Sequence, residues 1–349
     1  MNPLAGGPRT SGAGGDPLAF GARRLGEGQP CLVIAHAGLA HGGSAERALR
    51  LIEASFRAGA DAILFPIFRA DELAVRRHSE RRELEELELP ERDWKGVLEA
   101  ARGSGLGVIA EPRDGPSLDL ALTAGVDALQ SHPGDLDHPE LLRALGASGR
   151  PVVLGAGGAD DDALRGAIEA VAAPVAVAFG PAEAPAPVEE LRLGEIAALR
   201  ERLRVSVGLA DPTDGGSPFA LVAPALAAAQ GAEFVEKRLV LDRGLRGRDG
   251  AAALSPEEFY RSVELLRQAE RARGELLPRG AAPRGRGRSI VAAGLIARGE
   301  VLTAQALRFK RTEDRLGRSL SPAEAQRVIG RRAARPIQAD EAIREDMLE

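Results

Sequence analysis

Val33-Ile34-Ala35-His36-Ala37-Gly38-Leu39-Ala40-His41-Gly42-Gly43-Ser44 decides how this chain is read. It passes from an apolar run through a glycine-rich turn to Ser44, a residue suited to cap a helix N-terminus. A buried strand, a turn and a helix start follow one another directly. His36 and His41 flank the turn, where a barrel enzyme places its chemistry.

The pattern repeats outward. Apolar runs lie at 31–35, 62–65, 106–110, 128–130, 152–154, 174–179, 205–209 and 233–240. Each is continuous rather than alternating, as parallel strands buried on both faces require. Between them, amphipathic stretches at 44–58, 90–102, 117–124, 139–145, 161–171, 188–203, 218–230 and 256–274 read as helices. Several open near Pro, Asp or Ser and close on Gly. This alternation predicts an α/β protein, a closed (β/α)8 TIM barrel over 30–274, with an open doubly wound sheet as the alternative.

Composition narrows the class. The chain has 349 residues, enough for a barrel and a smaller domain. Aromatic residues are only 3%, so Ala, Leu, Val and Gly must fill the core. A net charge of −5 gives no electrostatic footprint for nucleic acid or an anionic membrane. Cys31 is the single cysteine, which fits a reducing compartment and reads as a small core residue. Residues 1–29 are rich in Gly and Pro and lack the order of a signal peptide, so they read as a loose tail. No segment reads as a membrane span. The expectation is a soluble cytoplasmic protein.

The connection 69–91 is long and charged. It reads as a solvated helix held by i,i+4 pairs, or as a lid over the barrel mouth. Residues 275–288 form a Pro/Gly/Arg linker. Beyond it, 289–349 reads as a compact module of short strands. Ala297-Arg298-Gly299-Glu300 and Gln338-Ala339-Asp340-Glu341 are two similar tight turns within it.

The order of these pieces resembles the N-acetylneuraminate (sialic acid) synthase family, from Pro30 to Glu349. The matching frame is Ile34-Ala35-x-Ala37-Gly38 with His41-x-Gly43-Ser44, Ala58-Gly59-Ala60-Asp61-Ala62 and Ala70-Asp71-Glu72-Leu73. Val207-Gly208-Leu209-Ala210-Asp211 and Val235-Glu236-Lys237-Arg238 follow. The C-terminal module resembles the family's antifreeze-like (SAF) domain of β-clip type, through Arg288-Ser289-Ile290-Val291, Phe309-Lys310-Arg311 and Arg335-Pro336-Ile337.

The resemblance implies condensation of phosphoenolpyruvate with an N-acetylmannosamine-type sugar. It implies a divalent metal, Mn or Mg, on two histidines, a glutamate that handles water, and lysines and hydroxyls around the phosphate. It also implies a homodimer whose SAF domain covers the partner barrel and offers an arginine, matched here by Arg311, with Lys310 and Arg315 beside it.

Much of that chemistry is replaced in this chain. The glutamate after the first strand is His36, and the asparagine before His41 is Ala40. The lysine and glutamine of the second strand are Leu64 and Pro66. The third strand ends Ala110-Glu111-Pro112 in place of Ser-Thr-Pro. The fourth-strand lysine is Gln130, its serine Pro133, its glutamate Asp135. The fifth gives Gly155-Ala156-Gly157, and the residues after the sixth are Ala182 and Ala184. The metal histidines are Pro212 and Arg238. A charge-assisted bond to phosphate contributes roughly 1.5–3 kcal/mol, so two lost lysines weaken binding by about a hundred- to ten-thousandfold.

The polar residues left at strand ends are the site candidates: Asp135 and Glu111 as acid or base, and His36, His41, Gln130, Asp211, Glu236, Arg238 and Arg311 for substrate. His36 and His132 are the metal candidates, with Glu111 and Asp211 beside them, without a local ligand spacing. Strand alternation places Glu236 and Arg238 on one face and Lys237 on the other. The plain structural reading is a Glu236–Arg238–Asp211 ion cluster filling the mouth. Gly155-Ala156-Gly157-Gly158 reads as a tight turn or a phosphate cradle, and His78 and His138 as surface residues. Two functions are expected: a catalytically impaired partner or regulator, beside an intact synthase, in carbohydrate biosynthesis; or an active condensing enzyme with a rebuilt site, Arg238 standing in for the metal.

Overall fold

The computed structural model describes residues 18–26, 28–244, 250–274, 287–313 and 318–349. They fall into two compact units, 1–274 and 275–349.

In the first unit, eight parallel strands close into a barrel in which each predicted strand appears. They are β3 (Leu32–His36), β4 (Ala62–Ile67), β5 (Gly107–Pro112), β6 (Ala128–Ser131), β7 (Val152–Gly155), β8 (Val175–Phe179), β9 (Ser206–Asp211) and β10 (Phe234–Arg238). The ring closes where β10 pairs with β3, with Arg238 opposite His36. Outer helices are α1 (Ala45–Arg57), α4 (Glu91–Gly103), α5 (Gly115–Ala124), α6 (Pro139–Ala147), α7 (Asp161–Val171), α8 (Glu195–Leu203), α9 (Phe219–Ala229) and α10 (Pro256–Arg273). Ser44 caps α1 as its sequence predicts, its side chain accepting from the Arg47 N–H.

Alternation along the strands sorts the interior. Leu32, Ile34, Ala62, Leu64, Ile109, Val153, Ala176 and Phe234 fill the barrel with apolar side chains. Phe234 is large for so small a barrel, and Gly208 on the neighbouring strand makes room: a Cβ there would lie 2.4 Å from the ring.

The stretch read as a loose tail contains defined structure at 18–26. β1 (Leu18–Phe20) and β2 (Arg23–Leu25) form an antiparallel hairpin. Leu18, Phe20 and Leu25 are buried against the interior residues at the strand starts. A barrel filled with Ala and Val leaves apolar surface at that end, and the hairpin covers it. A salt-bridged knot holds it: Arg23 reaches Asp61 at 3.0 Å, Asp61 accepts from the Val33 N–H, and Arg267 on α10 bonds Asp61, Glu270 and the Cys31 carbonyl. Cys31 is buried there, and burial pushes its thiol up.

The connection after β4 carries two helices, α2 (Ala70–Leu73) and α3 (Arg81–Leu87). Arg81–Glu85 and Arg82–Glu86 are the expected i,i+4 pairs. Arg81 also donates to the carbonyls of Ala70 and Ala74, and Asp114 accepts from the Arg69 N–H. The excursion is thereby tied down as a wall.

In the second unit, β11 (Arg288–Ala292) pairs antiparallel with β12 (Leu307–Arg311), and the short helix α11 (Ala325–Val328) packs with it. The two predicted turns are built alike. Glu300 Oε2 accepts from Ala297 N–H, Glu341 Oε2 accepts from Gln338 N–H, and Gly299 and Asp340 both take positive φ. Arg311 sits at the end of β12 and is exposed. The linker, apart from Gly287 and Arg288, and Arg315 lie outside the described residues.

Candidate active site

The C-terminal ends of the barrel strands open into two joined clefts. The inner one spans about 610 Å³, open solvent at its mouth included, and is lined by Glu111, Gln130, Gly155, Gly180, Glu236 and Arg238, among others. The outer one, about 1370 Å³, shares His36, Glu111, His132 and Arg238 with it. Leu73, His78 and Leu84 of the 69–91 excursion form its rim. His78 is exposed as expected, but it faces the mouth.

The floor is a hydrogen bond across the barrel. Gln130 Nε2 donates to Glu236 Oε2 at 3.1 Å, and β6 and β10 stand on opposite sides of the eight-stranded ring. Both residues are 3% exposed. Burial pushes the Glu236 carboxyl up to about 8, against the Gln130 hydrogen bond, and the nearby Glu111 adds to the rise.

Glu111 lies on the same level. Burial raises it to about 7, while Arg113 opposes the rise by charge and by a 2.9 Å hydrogen bond. Arg113 also stands 3.7 Å from Asp135, whose carboxyl burial holds above its usual range. His132 is lowered to about 3 by burial and by Arg113, so its imidazole is neutral. Its Nδ1 accepts from the Gly134 N–H at 3.0 Å and caps the turn carrying Asp135.

The alternation reading of β10 holds. Glu236 and Arg238 line the cleft, whereas Lys237 packs outside the strands among Val33, Pro224, Phe259 and Leu266. The expected Glu236–Arg238–Asp211 cluster does not form. Asp211 and Lys237 are register partners on β9 and β10, so their side chains share the outer face. Lys237 Nζ lies 3.1 Å from Asp211, and Thr213 donates to that carboxylate through N–H and Oγ1 at 2.9 and 2.6 Å. Asp211 borders the cleft, but its carboxylate is committed away from it.

His41 is also turned to a structural role. It is fully buried, its ring meets Trp94 edge-on at 5.5 Å, and its Nδ1 accepts from the Gly43 N–H. His138 caps α6. The glycine turn after β7 packs on the Pro133 ring: a Cβ on Gly157 would come within 2.3 Å of it. Sequence reasoning missed Arg113. Its signal was parity: it follows Glu111 by two residues at the end of a strand and therefore faces the same way.

The positions of the implied metal ligands do not fit a metal. Pro212 has no donor atom and Arg238 is a cation. Among the described residues no group of three or more His, Cys, Asp and Glu is placed to hold an ion, His36 and His132 included. Nor does any helix among them have the length and apolarity to cross a membrane.

Two family models match the chain, one for the NeuB family over 51–277 and one for the SAF domain over 287–349. An uncharacterised protein of Methanocaldococcus jannaschii, MJ1065, is 29% identical, covering 94% of this chain and 97% of its own length. The N,N'-diacetyllegionaminic acid synthase of Legionella pneumophila is 28% identical over 72% of this chain and 75% of that protein. The crystal structure of an N-acetylneuraminic acid synthetase from Leptospira borgpetersenii, in complex with citrate, is 27% identical with a TM-score of 0.69. It covers 76% of this chain and 93% of that one.

Proposed function

Because the chain belongs to the NeuB family, with a SAF domain after its barrel, we propose that it serves carbohydrate biosynthesis without the phosphoenolpyruvate condensation of a synthase, as a partner or regulator. The observation that carries this reading is the fate of the cations. Leu64, where the resemblance expects a phosphate-binding lysine, is part of the apolar barrel interior. Gln130, where it expects another, is an amide. Lys237, one residue before the mouth-facing Arg238, is sealed outside the strands with Asp211. Arg113, a further cation of the mouth, already faces Glu111 and Asp135. A phosphate entering this mouth finds no lysine among the described lining residues.

In this reading the protein acts in the cytoplasm as a homodimer, and an intact synthase is its natural partner. The test is phosphate release from phosphoenolpyruvate with N-acetylmannosamine and Mn. No release above the rate without protein is expected; sustained turnover overturns the reading.

One observation favours a second reading, an active enzyme with a changed substrate. Glu111 and Glu236 are buried carboxyls raised to about 7 and 8 on the wall of an open cleft, the range suited to general acid and base work. In that case Glu111, with Asp135 behind Arg113, exchanges the proton and Arg238 stabilises developing negative charge. Glu111→Gln then abolishes turnover of the new substrate while leaving the fold intact.

A further inference from the structure

The bridge across the barrel axis leaves two acceptors over. Gln130 Oε1 and Glu236 Oε1 are buried without a hydrogen-bond partner among the described residues, and both residues line the inner cleft. An unsatisfied buried acceptor is unfavourable by about 1–3 kcal/mol. Two of them in one cleft call for a donor from outside the chain.

The charges around the floor have the matching sign. Glu236 faces Gln130 from β6, Glu111 from β5 and Arg238 from its own strand, Arg113 bonds Glu111, and His36 and His132 also line the inner cleft. Asp135 stands behind Arg113, and Asp211 on β9 is turned away to Lys237. Glu111, Asp135 and Glu236 thus supply three carboxyls, against the two guanidiniums of Arg113 and Arg238. His132 adds no charge near neutrality. With Glu236 and Glu111 both ionised, these carboxyls outnumber the guanidiniums, and a cation on the floor can take the place of the proton that Glu236 otherwise holds.

We propose that this floor is a binding subsite for the protonated primary amine of a small polyhydroxylated ligand, held by Glu236 Oε1 and Gln130 Oε1. An ammonium carries three donors, enough for both oxygens and a water, and no lone pair to oppose them. An anion would face two bare oxygens, and a plain hydroxyl brings no charge to replace the proton on Glu236. The high proton affinity of Glu236 fits this: without a ligand, a proton takes the same place. The inference rests on the reading of the barrel as a carbohydrate protein that has lost its phosphate cradle. It reverses the sign of the group that the mouth receives.

Calorimetric titration of the full chain near neutral pH tests it, with 1-amino-1-deoxyglucitol, glucitol and phosphoenolpyruvate as probes. The amine is expected to bind at least about tenfold tighter than glucitol, the factor of one charge-assisted hydrogen bond, and tighter than phosphoenolpyruvate. Glu236→Gln, which keeps the size of the side chain, should remove that preference. Gln130→Lys should supply the ammonium from within, raise the thermal midpoint and abolish amine binding. Equal binding of glucitol, tighter binding of phosphoenolpyruvate, no heat from the amine within its solubility, or a preference that survives Glu236→Gln overturns the proposal. Phosphate release from phosphoenolpyruvate and a sugar would instead overturn the reading as a silent synthase and leave the amine preference standing.

Discussion

Replacing Glu236 by Gln should flatten part of the pH dependence of stability. Glu236 is 3% exposed, and burial raises its carboxyl from 4.5 to about 8. Between those values the folded chain holds a proton that the unfolded chain has released. Stability then falls as pH rises: the contribution is complete below about pH 4.5 and is lost as pH passes through about 8. Binding a proton tenfold more tightly is worth about 1.36 kcal/mol, so ionising Glu236 in place destabilises the barrel by on the order of 4 kcal/mol. Gln keeps the bridge to Gln130 and cannot ionise. The variant should match the wild type near pH 5 and exceed it near pH 9, by on the order of 10 °C in thermal midpoint. His132 also titrates but is common to both chains; Glu111 is coupled to Glu236, so the difference between the chains reads the pair. Trp94 is the single tryptophan and lies buried in the barrel unit, so its fluorescence during urea unfolding reports the right domain. A gap between the two chains that stays constant from pH 5 to 9, or narrows, would refute the account of the floor as a protonated acid.

Other perturbations separate the fold from the site. Lys237→Met strands the buried Asp211 carboxylate and should cost about 3–5 kcal/mol in urea unfolding, with mouth ligands unaffected; a loss under about 1 kcal/mol would mean that the pair is not desolvated. Gly208→Ala drives a methyl into the Phe234 ring and should destabilise by about 1–3 kcal/mol or more, with Phe234→Leu recovering most of it; if the second change recovers nothing, the contact is not the cause. Phe20→Ala should cost about 3–5 kcal/mol although it lies outside the strand–helix repeat, a value that chemical denaturation reads directly.

The strands were legible because parallel strands buried on both faces need no partner pattern to be seen: Val152–Leu154 and Val175–Phe179 are apolar throughout. The hairpin escaped because its evidence is not local. Leu18-Ala19-Phe20 is three residues long in a glycine-rich setting, and only the apolar end of a closed barrel gives it a place to bury. The site divided along the same line. Parity placed Glu236, Arg238 and Lys237 correctly, since it is a property of one strand. It could not place Asp211, because the parity of β9 relative to β10 depends on register, and register is set by pairing across the ring. That Gln130 meets Glu236 across 106 positions of sequence could not be read from either strand alone.

The Asp61 knot separates what holds the barrel from what lines its mouth. Asp61 and Arg267 fasten the first strand, the last barrel helix and the hairpin together at the end of the barrel where the strands begin. Between that fastening and the clefts lies a full apolar layer with Leu64 and Phe234 in it. The side-chain bonds of that fastening therefore do not draw on any residue of the mouth. The Asp61 fastening and the apolar layer thus hold the strand starts by contacts that none of the polar cleft-lining side chains make, so scaffold and mouth can vary separately.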